Sequence, residues 1–126
     1  AFEIVGTRYT QVPFHDAGSV VADCMLSAAM VFGTPTTEWR DLDIPRHPVR
    51  LTIDGTLAGE GSGADPLGDP RKVLDWVINT LSAAGIGLKR GEILSTGTCT
   101  GMVPLKPGQT AIADFGALGR VEICFT

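Results

Sequence analysis

The sequence predicts an α+β or β-roll domain, a fold in which short strands predominate over helices. Three observations support this prediction: an alternating apolar pattern at residues 49–53, a well-capped amphipathic helix at residues 70–84, and two apolar runs near the carboxy terminus. Sixteen glycines and eight prolines favour many turns. A chain of 126 residues is long enough to bury one core, so we expect residues 1–126 to form a single domain.

The first two elements are predicted to be a strand and a helix. Phe2–Val5 combines apolar and β-branched residues around one acid, which is typical of a strand. Residues 6–18 are predicted to be a loop because proline and glycine interrupt them. Residues 19–31 carry apolar side chains at spacings of three, four and seven, so we predict a helix there, with Gly33 just after its end.

A hairpin is predicted after a polar, proline-broken connection at residues 34–48. Residues 49–53 alternate between apolar and polar side chains, and Asp54 with Gly55 provides a tight turn. Residues 57–62 should return as the second strand, which three nearby glycines are expected to weaken or bulge.

The clearest helix signal covers residues 70–84. Asp69 is a suitable N-cap, and Pro70 takes the first helical position, where a missing N–H is tolerated. Gly85 follows the last turn. Burial of the apolar stripe should contribute on the order of 1.5–3 kcal/mol per large side chain. The stripe consists of Val73, Leu74, Val77, Ile78 and Leu81.

The carboxy-terminal part is predicted to contain three further strands. Residues 88–92 turn into a short strand at residues 93–95, and a loop rich in glycine and threonine covers residues 96–106. Residues 109–115 and 120–125 then form the two arms of a closing hairpin.

Composition and charge argue against several classes of function. The formal net charge of −4 and the pI near 5.0 disfavour nucleic acid as the main partner, because phosphate binding needs clustered Lys and Arg. No apolar run approaches the roughly 20 residues of a membrane helix. Cys24, Cys99 and Cys124 form no C-x-x-C pair, so we expect free thiols in a reducing cytoplasm rather than a zinc site.

Three charged residues are candidates for chemistry, each with a plainer alternative. Glu3 lies in an apolar strand, where a carboxylate is either paired, hydrogen-bonded or metal-bound, or else faces solvent. Arg8 could hold a carboxylate through two hydrogen bonds, or pair at the surface. Asp23 could be an active-site acid with a shifted pKa, or a cap or buried ion pair.

The segment of residues 95–101 places hydroxyl and backbone N–H groups around glycines. Such a loop could wrap an anionic ligand, or it could be an ordinary turn. It is not a phosphate loop, because the Walker spacing and its Lys-Ser/Thr pair are absent. His15 and His47 lie near prolines at a spacing that does not suggest a metal pair, so we assign both to structure or surface.

Several segments, in order and spacing, resemble the hydratase and decarboxylase branch of the fumarylacetoacetate hydrolase superfamily. Residues 2–9, FEIVGTRY, resemble the family's EIvdSR segment, and residues 21–23 resemble its vADN. Residues 53–55 resemble the family's hairpin. The GDP at residues 68–70, which leads into DW, resembles its lGdP…aWl helix. LKRGEILSTG resembles LraGdivltG, and the PLKPG and FGALGRV segments resemble the closing motifs. The similarity runs through nearly all 126 residues.

The resemblance implies a mixed β-roll or barrel-like catalytic fold with two helices. It also implies a site for Mg²⁺ or Mn²⁺ held by three carboxylates, since such cations prefer hard oxygen ligands. Glu3 is the position that matches one of the three. The family's E-x-E pair and an upstream lysine are not among these 126 residues, and its Asn and Asp at two motif positions are Cys24 and Gly6 here.

The implied activity is the addition of water to a 2-hydroxy-2,4-dienoate, as in a 2-keto-4-pentenoate hydratase of aromatic-compound catabolism. Arg8 and Asp23 are the catalytic candidates, and Thr96, Gly97 and Thr98 are the candidates for holding the substrate. A 4-oxalocrotonate decarboxylase-like reaction is the alternative within enzymes.

A third hypothesis is a non-catalytic fragment or subunit that pairs with a relative. A strand that begins at residue 2, with an exposed edge, favours such pairing. We therefore expect a small 2-oxo or 2-hydroxy dienoate acid as the ligand, and a homo-oligomer or a pairing with a related subunit.

Overall fold

The computed structural model describes residues 1–11 and 16–126, which form two antiparallel sheets and two α-helices. The smaller sheet pairs β1 (Phe2–Val5) with β2 (Ser27–Val31). The larger sheet has the order β4-β3-β5-β6, and the predicted α+β class is confirmed. The remaining elements are α1 (Ala17–Ala22), β3 (Pro48–Ile53), β4 (Thr56–Ser62), α2 (Pro70–Ala83), β5 (Thr110–Asp114) and β6 (Arg120–Cys124). Short 3-10 turns lie at Cys24–Leu26, Ile44–Arg46 and Gly116–Leu118. His15 of the predicted amino-terminal loop lies outside the described residues.

The four-stranded sheet has one apolar face and one charged face. Leu51 on β3 lies opposite Ala113 on β5, which in turn lies opposite Val121 on β6, and all three side chains are buried. On the other face, Arg50 lies opposite Asp114. Because successive side chains of a strand point to opposite faces, the apolar set is directed to one side, where it forms the small core.

Both predicted hairpins are confirmed. Asp54 and Gly55 take the left-handed φ values of 50° and 79° that a two-residue turn between β3 and β4 requires. The pairing register shifts after Leu51, which leaves Ala58 as a bulge on β4. The Asp54 carboxylate accepts the N–H of Thr110 at 2.9 Å, so the turn is tied to β5. β5 and β6 form the closing hairpin.

The helix predicted at residues 19–31 is wrong beyond Ala22. α1 ends there, and the three residues of the turn Cys24–Leu26 take left-handed φ values of 52°, 55° and 64°. The chain then enters β2, which pairs with β1. Residues 27–31 are apolar or small and suit a strand as well as a helix, and the available partner strand decides between the two.

Gly33 does not end a helix, contrary to the prediction. It follows β2 and lies against the four-stranded sheet, where a Cβ at this position would be 2.8 Å from Cγ2 of Val121. The glycine is therefore needed for close packing rather than for helix termination.

Helix α2 is confirmed in position but not in packing. Asp69 Oδ1 accepts the N–H of Arg71 at 2.9 Å, Pro70 begins the helix, and Gly85 takes a φ of 71°. No residue of α2 is buried by the described parts of the chain, and Trp76 is 67% exposed. Val73, Val77 and Leu81 are half-buried, so the stabilisation expected from burial of the apolar stripe is only partly realised within these residues.

The strand predicted at residues 93–95 is wrong. These residues have no ladder partner among the described strands, and Ile93 is 66% exposed. A β-prone sequence remains irregular when no neighbouring strand supplies its backbone hydrogen bonds.

No described helix is long and apolar enough to cross a membrane. The three cysteines are free thiols.

Candidate active site

A cavity of about 950 Å³ lies between the β1–β2 sheet and the apolar face of the four-stranded sheet. Residues 93–105 form a further wall. This volume is at the upper end of the range of about 300–1,000 Å³ that is usual for small-molecule sites. Among the described residues that line the cavity, Glu3 alone carries a charged side chain, and most of the others are apolar. Any charge in a bound molecule would therefore be met by Glu3, by hydroxyl groups or by the backbone.

Glu3 reaches the loop that the sequence marks as an anion-binding candidate. It lies on β1 opposite Met30, and its Oε2 accepts a hydrogen bond from Ser95 Oγ at 2.9 Å. Its Oε1 has no hydrogen-bond partner within residues 1–11 and 16–126. The structure thus brings this acid to the start of the glycine–threonine loop, with one oxygen oriented by the protein and the other open.

The glycine–threonine loop (residues 95–101) is organised by its own side chains and by one proline. Thr98 Oγ1 donates to the carbonyl oxygen of Gly101 at 3.1 Å and accepts the N–H of Thr100 at 3.3 Å. Gly97 takes a φ of 117°, and a Cβ there would lie 2.9 Å from Cβ of Pro66. A glycine is therefore required at residue 97 by both conformation and space.

Two glycines of β4 allow this loop to pack closely against the strand. Gly59 and Gly61 are two residues apart, so they share one face of the strand. A Cβ on Gly61 would overlap the carbonyl oxygen of Cys99, and a Cβ on Gly59 would lie 2.8 Å from the carbonyl oxygen of Thr100. The glycines that the sequence predicts to weaken β4 thus allow two backbones to approach closely.

Asp23 is a buried carboxylate with all its partners on the same chain. Its side chain is 1% exposed. Thr7 Oγ1 donates to Oδ2 at 2.6 Å, and Arg8 donates its backbone N–H to Oδ2 at 3.2 Å and its Nη1 to Oδ1 at 3.1 Å. The Thr7 hydroxyl, followed by the Arg8 donors, lowers the pKa of Asp23 below its ordinary value of 3.8. Asp23 is therefore ionised at neutral pH.

Arg8 joins the two ends of the turn Cys24–Leu26. Its Nη1 donates to the carbonyl oxygen of Asp23 at 2.9 Å, and its Nη2 donates to the carbonyl oxygen of Ser27 at 2.7 Å. Neither Arg8 nor Asp23 is among the residues that line the large cavity. The structure therefore brings Glu3 together with Thr96, Gly97 and Thr98, and it pairs Arg8 with Asp23 beside that group.

A smaller cavity of about 200 Å³ lies behind the glycine–threonine loop, and Thr96 and Cys99 line both cavities. His47 also lines the smaller cavity, and its Nε2 is 2.6 Å from the carbonyl oxygen of Phe115, to which it donates a hydrogen bond. This contact is structural, in line with the assignment from sequence. Burial raises the pKa of the Cys99 thiol, which therefore stays protonated at neutral pH.

Several residues at the site were not identified as functional from sequence. Ser95 belongs to the segment of residues 95–101 that the sequence marks as an anion-binding candidate, but its own contact with Glu3 was not predicted. The alternation of Gly59 and Gly61 was a signal for close backbone approach on one face of β4. Met25 and Leu26 line the cavity beside Glu3, and no sequence signal places them there, because left-handed backbone normally coincides with Gly, Asn or Asp.

The described residues contain no group of three His, Cys, Asp or Glu side chains that could hold a metal ion. Glu3 offers one hard oxygen donor with an open oxygen, which suits one ligand position of an oxygen-coordinated cation. The donor set is thus compatible with part of such a site.

Comparison with known proteins supports the resemblance. Residues 5–126 match the family described as Fumarylacetoacetate (FAA) hydrolase C-terminal. The chain is 32% identical over 128 residues to a 2-keto-4-pentenoate hydratase of Burkholderia vietnamiensis, covering 100% of this chain and 48% of the relative. It is 30% identical over 123 residues to a 4-oxalocrotonate decarboxylase of Pseudomonas sp. (strain CF600), covering 98% and 46%.

A solved structure shares the fold. It is the 4-oxalocrotonate decarboxylase from Pseudomonas putida G7 complexed with magnesium and adipate, with a TM-score of 0.88 and 29% identity. The match covers 98% of this chain and 47% of that one. The chain spans about half the length of the curated relatives that it matches. It belongs to the fumarylacetoacetate hydrolase C-terminal family.

Proposed function

We propose that this chain contributes one half of the active site of a metal-dependent hydro-lyase, which adds water to a 2-hydroxy-2,4-dienoate in aromatic-compound catabolism. The observation that carries the proposal is the position of Glu3. It is the one charged side chain among the described residues of the cavity lining, and Ser95 orients it beside the glycine–threonine loop. Family membership and similarity to 2-keto-4-pentenoate hydratases support this reaction class.

In this proposal Glu3 would hold a divalent cation, Mg²⁺ or Mn²⁺, as one of three carboxylate ligands. The other two would come from residues outside the 126. The magnesium in the similar decarboxylase structure supports a divalent cation in this cavity. When bound, the ion would supply Lewis acidity that stabilises negative charge on the 2-oxo oxygen of the substrate.

The chain's own residues would bind the carboxylate of the substrate in a polar region and its hydrocarbon chain in an apolar region. Backbone N–H groups and hydroxyls of Thr96, Gly97 and Thr98 would hold the substrate carboxylate, because glycine-rich backbone can surround an anion. Ser95 would keep the carboxylate of Glu3 in one orientation. The apolar walls would enclose the hydrocarbon chain and limit access of bulk water, so that each polar contact is strengthened.

Arg8 and Asp23 enter the proposal as residues that support activity from beside the cavity. The guanidinium of Arg8 already donates to the Asp23 carboxylate and to two backbone carbonyl oxygens. The Asp23 carboxylate already accepts from Thr7 and Arg8. These contacts favour a positioning role for the pair over direct contact with the substrate.

Replacement of Glu3 tests the proposal. In an assembly that supplies the other two carboxylates, and with Mg²⁺ present, we expect Glu3→Gln to reduce hydration of 2-hydroxypenta-2,4-dienoate by at least about 100-fold, because a metal ligand and its charge are lost. Glu60→Gln is the control, since its side chain is 63% exposed. Equal activity of Glu3→Gln and Glu60→Gln would refute the role of Glu3.

Decarboxylation is the second candidate function, favoured by the similarity to 4-oxalocrotonate decarboxylase at a TM-score of 0.88. The same polar region would then stabilise the enolate that remains after CO₂ leaves. Supplying 4-oxalocrotonate with Mg²⁺ and measuring CO₂ separates the two reactions. Faster release of CO₂ than hydration of the dienoate would favour the decarboxylase.

Pairing with a related subunit, or a homo-oligomer, is proposed for the case in which this chain does not act alone. The half-length match to the relatives and the exposed apolar side chains of α2 support it. Sedimentation of the chain as a monomer would contradict the homo-oligomer. Tight one-to-one binding of Mn²⁺ in a calorimetric titration would contradict a non-catalytic fragment.

We place the activity in the cytoplasm, where three free thiols would stay reduced.

A further inference from the structure

We propose that the turn Cys24–Leu26 is a fixed wall that selects the hydrocarbon part of the substrate. Met25 would be the contacting residue, and Arg8 and Asp23 would be the positioning residues. The inference rests on the proposed function, because it takes an organic acid as the occupant of the cavity. It goes further by assigning the apolar end of that acid to a named side chain.

The backbone of this turn is unusual. Three consecutive non-glycine residues, Cys24–Leu26, have φ values between 52° and 64°. L-residues rarely adopt this conformation, and runs of it are rarer still. Such a backbone persists only where its surroundings enforce it, and it is concentrated at functional sites.

The enforcing contacts come from both ends of the turn. Arg8 donates to the carbonyl oxygen of Asp23 on one side and to that of Ser27 on the other, at 2.9 and 2.7 Å. The N–H of Gly6 donates to the carbonyl oxygen of Leu26 at 2.8 Å. The Asp23 carboxylate holds Arg8 in place through Nη1 and the backbone N–H. Residues that follow β1 therefore fix the turn that precedes β2.

The turn presents one buried and one accessible apolar side chain to the cavity. Leu26 is 5% exposed and anchors the turn, whereas Met25 is 65% exposed. Both line the cavity that Glu3 also lines. An unbranched thioether suits an alkyl or alkenyl chain, because it is apolar and adapts its shape. The cavity thus has a polar region at Glu3 and the glycine–threonine loop, and an apolar contact at Met25.

Methionine methyl resonances provide a direct test, because the chain has three methionines and all of them line this cavity: Met25, Met30 and Met102. The chain, labelled at the methionine methyl carbons and at backbone nitrogen, is titrated with acetate and with hexanoate in the presence of Mg²⁺. We expect both acids to shift the amides of residues 96–98. Hexanoate alone should shift the Met25 methyl.

Matched variants sharpen the test. Met25→Ala should weaken hexanoate binding about 3–5-fold, as expected for the loss of roughly one methylene contact, and leave acetate binding unchanged. Met102→Ala is the control, because Met102 is 68% exposed and lines the same cavity but lies outside the turn. An equal loss in both variants would overturn the assignment to Met25.

Replacement of Arg8 tests the positioning role. Arg8→Ala should move the Met25 methyl resonance towards that of free methionine and weaken hexanoate binding as Met25→Ala does. The amides of β3 and β5 should keep their shifts. Arg50→Ala, which replaces an exposed arginine whose ion pair spans 3.9 Å, should leave the Met25 methyl resonance and hexanoate binding unchanged. If Arg8→Ala does not fold, Arg8→Lys replaces it, because one ammonium cannot span both carbonyl oxygens. An unchanged Met25 resonance in the Arg8 variant that folds would overturn the inference.

The outcomes separate this inference from the proposed function. If acetate and hexanoate shift the amides of residues 96–98 equally and the Met25 methyl is silent, the loop binds acids and only the inference fails. If neither acid shifts those amides in the wild-type chain, the proposed role of residues 96–98 in holding the substrate carboxylate fails, and the inference fails with it.

Discussion

The two walls of the cavity are held by different forces. The glycine–threonine loop lies on β4, where Gly59 and Gly61 allow backbone atoms to touch. Another wall, the turn Cys24–Leu26, is held by the hydrogen bonds of Arg8 and Asp23. The first wall depends mainly on the absence of side chains at Gly59 and Gly61. The second depends on an ionised carboxylate, so substitutions and pH should affect the two walls differently.

The largest effect on stability is expected where the glycine–threonine loop packs on β4. Gly61→Val would place a branched side chain where the carbonyl oxygen of Cys99 lies, so β4 and the loop must separate. We expect the free energy of unfolding to fall by about 3 kcal/mol, as in overpacked interiors. Urea unfolding followed by circular dichroism measures it. A variant as stable as the wild type would show that the loop is not seated on β4.

The second largest effect is expected at the charged wall. Asp23→Ala removes the acceptor of the Thr7 hydroxyl and of two Arg8 donors. We expect the melting temperature to fall by about 5 °C, because buried donors are left unpaired. Thr98→Ala is a control, because Thr98 is an exposed residue on the other wall. A smaller fall for Asp23→Ala than for Thr98→Ala would contradict the contrast between the walls.

The pH dependence of stability sharpens the comparison. The pKa of Asp23 is lowered in the folded chain, with the Thr7 hydroxyl as the main cause, so folding favours the ionised form. Its stabilising contribution is present above the ordinary value of 3.8 and is lost as the pH falls through the lower folded pKa. Unfolding measured between pH 6 and pH 2 should therefore show a smaller acid-induced loss for Asp23→Asn than for the wild type. Equal losses would indicate that other acids dominate.

The smallest effect is expected on the outer face of β4. Glu60 lies between the two seating glycines but points the other way, and its carboxylate is 3.9 Å from Arg50 with both side chains well exposed. Solvent screens such pairs, so Glu60→Ala should change the free energy of unfolding by less than about 0.5 kcal/mol. A loss comparable to that of Gly61→Val would mean that β4 is sensitive on both faces.

The regularly patterned parts of the fold could be predicted from sequence. The β3–β4 hairpin carries period-two alternation with Asp54–Gly55 at its turn, and α2 carries an N-cap, an N-terminal proline and a following glycine. These are local signals, so tertiary context was not needed to interpret them. The bounds of α2 differ from the prediction by one residue.

Features set by contacts distant in sequence could not be predicted. Residues 27–31 become a strand only because β1 pairs with them, and residues 93–95 lack a described partner. The contact between Glu3 and Ser95 joins positions 92 residues apart. The family resemblance placed Glu3 and residues 96–98 at one site, but neither the resemblance nor the spacing predicted the contact with Ser95.

The exposure of the two tryptophans, one of them on the uncovered face of α2, determines how unfolding can be observed. Both tryptophans are accessible to water, Trp76 at 67% and Trp39 at 41%. Their emission in the folded chain should already be close to that of indole in buffer, so intrinsic fluorescence would change little on denaturation. Dyes that brighten on apolar surfaces should bind the native chain at the start of a thermal scan. Backbone ellipticity is the signal that would report its loss of structure.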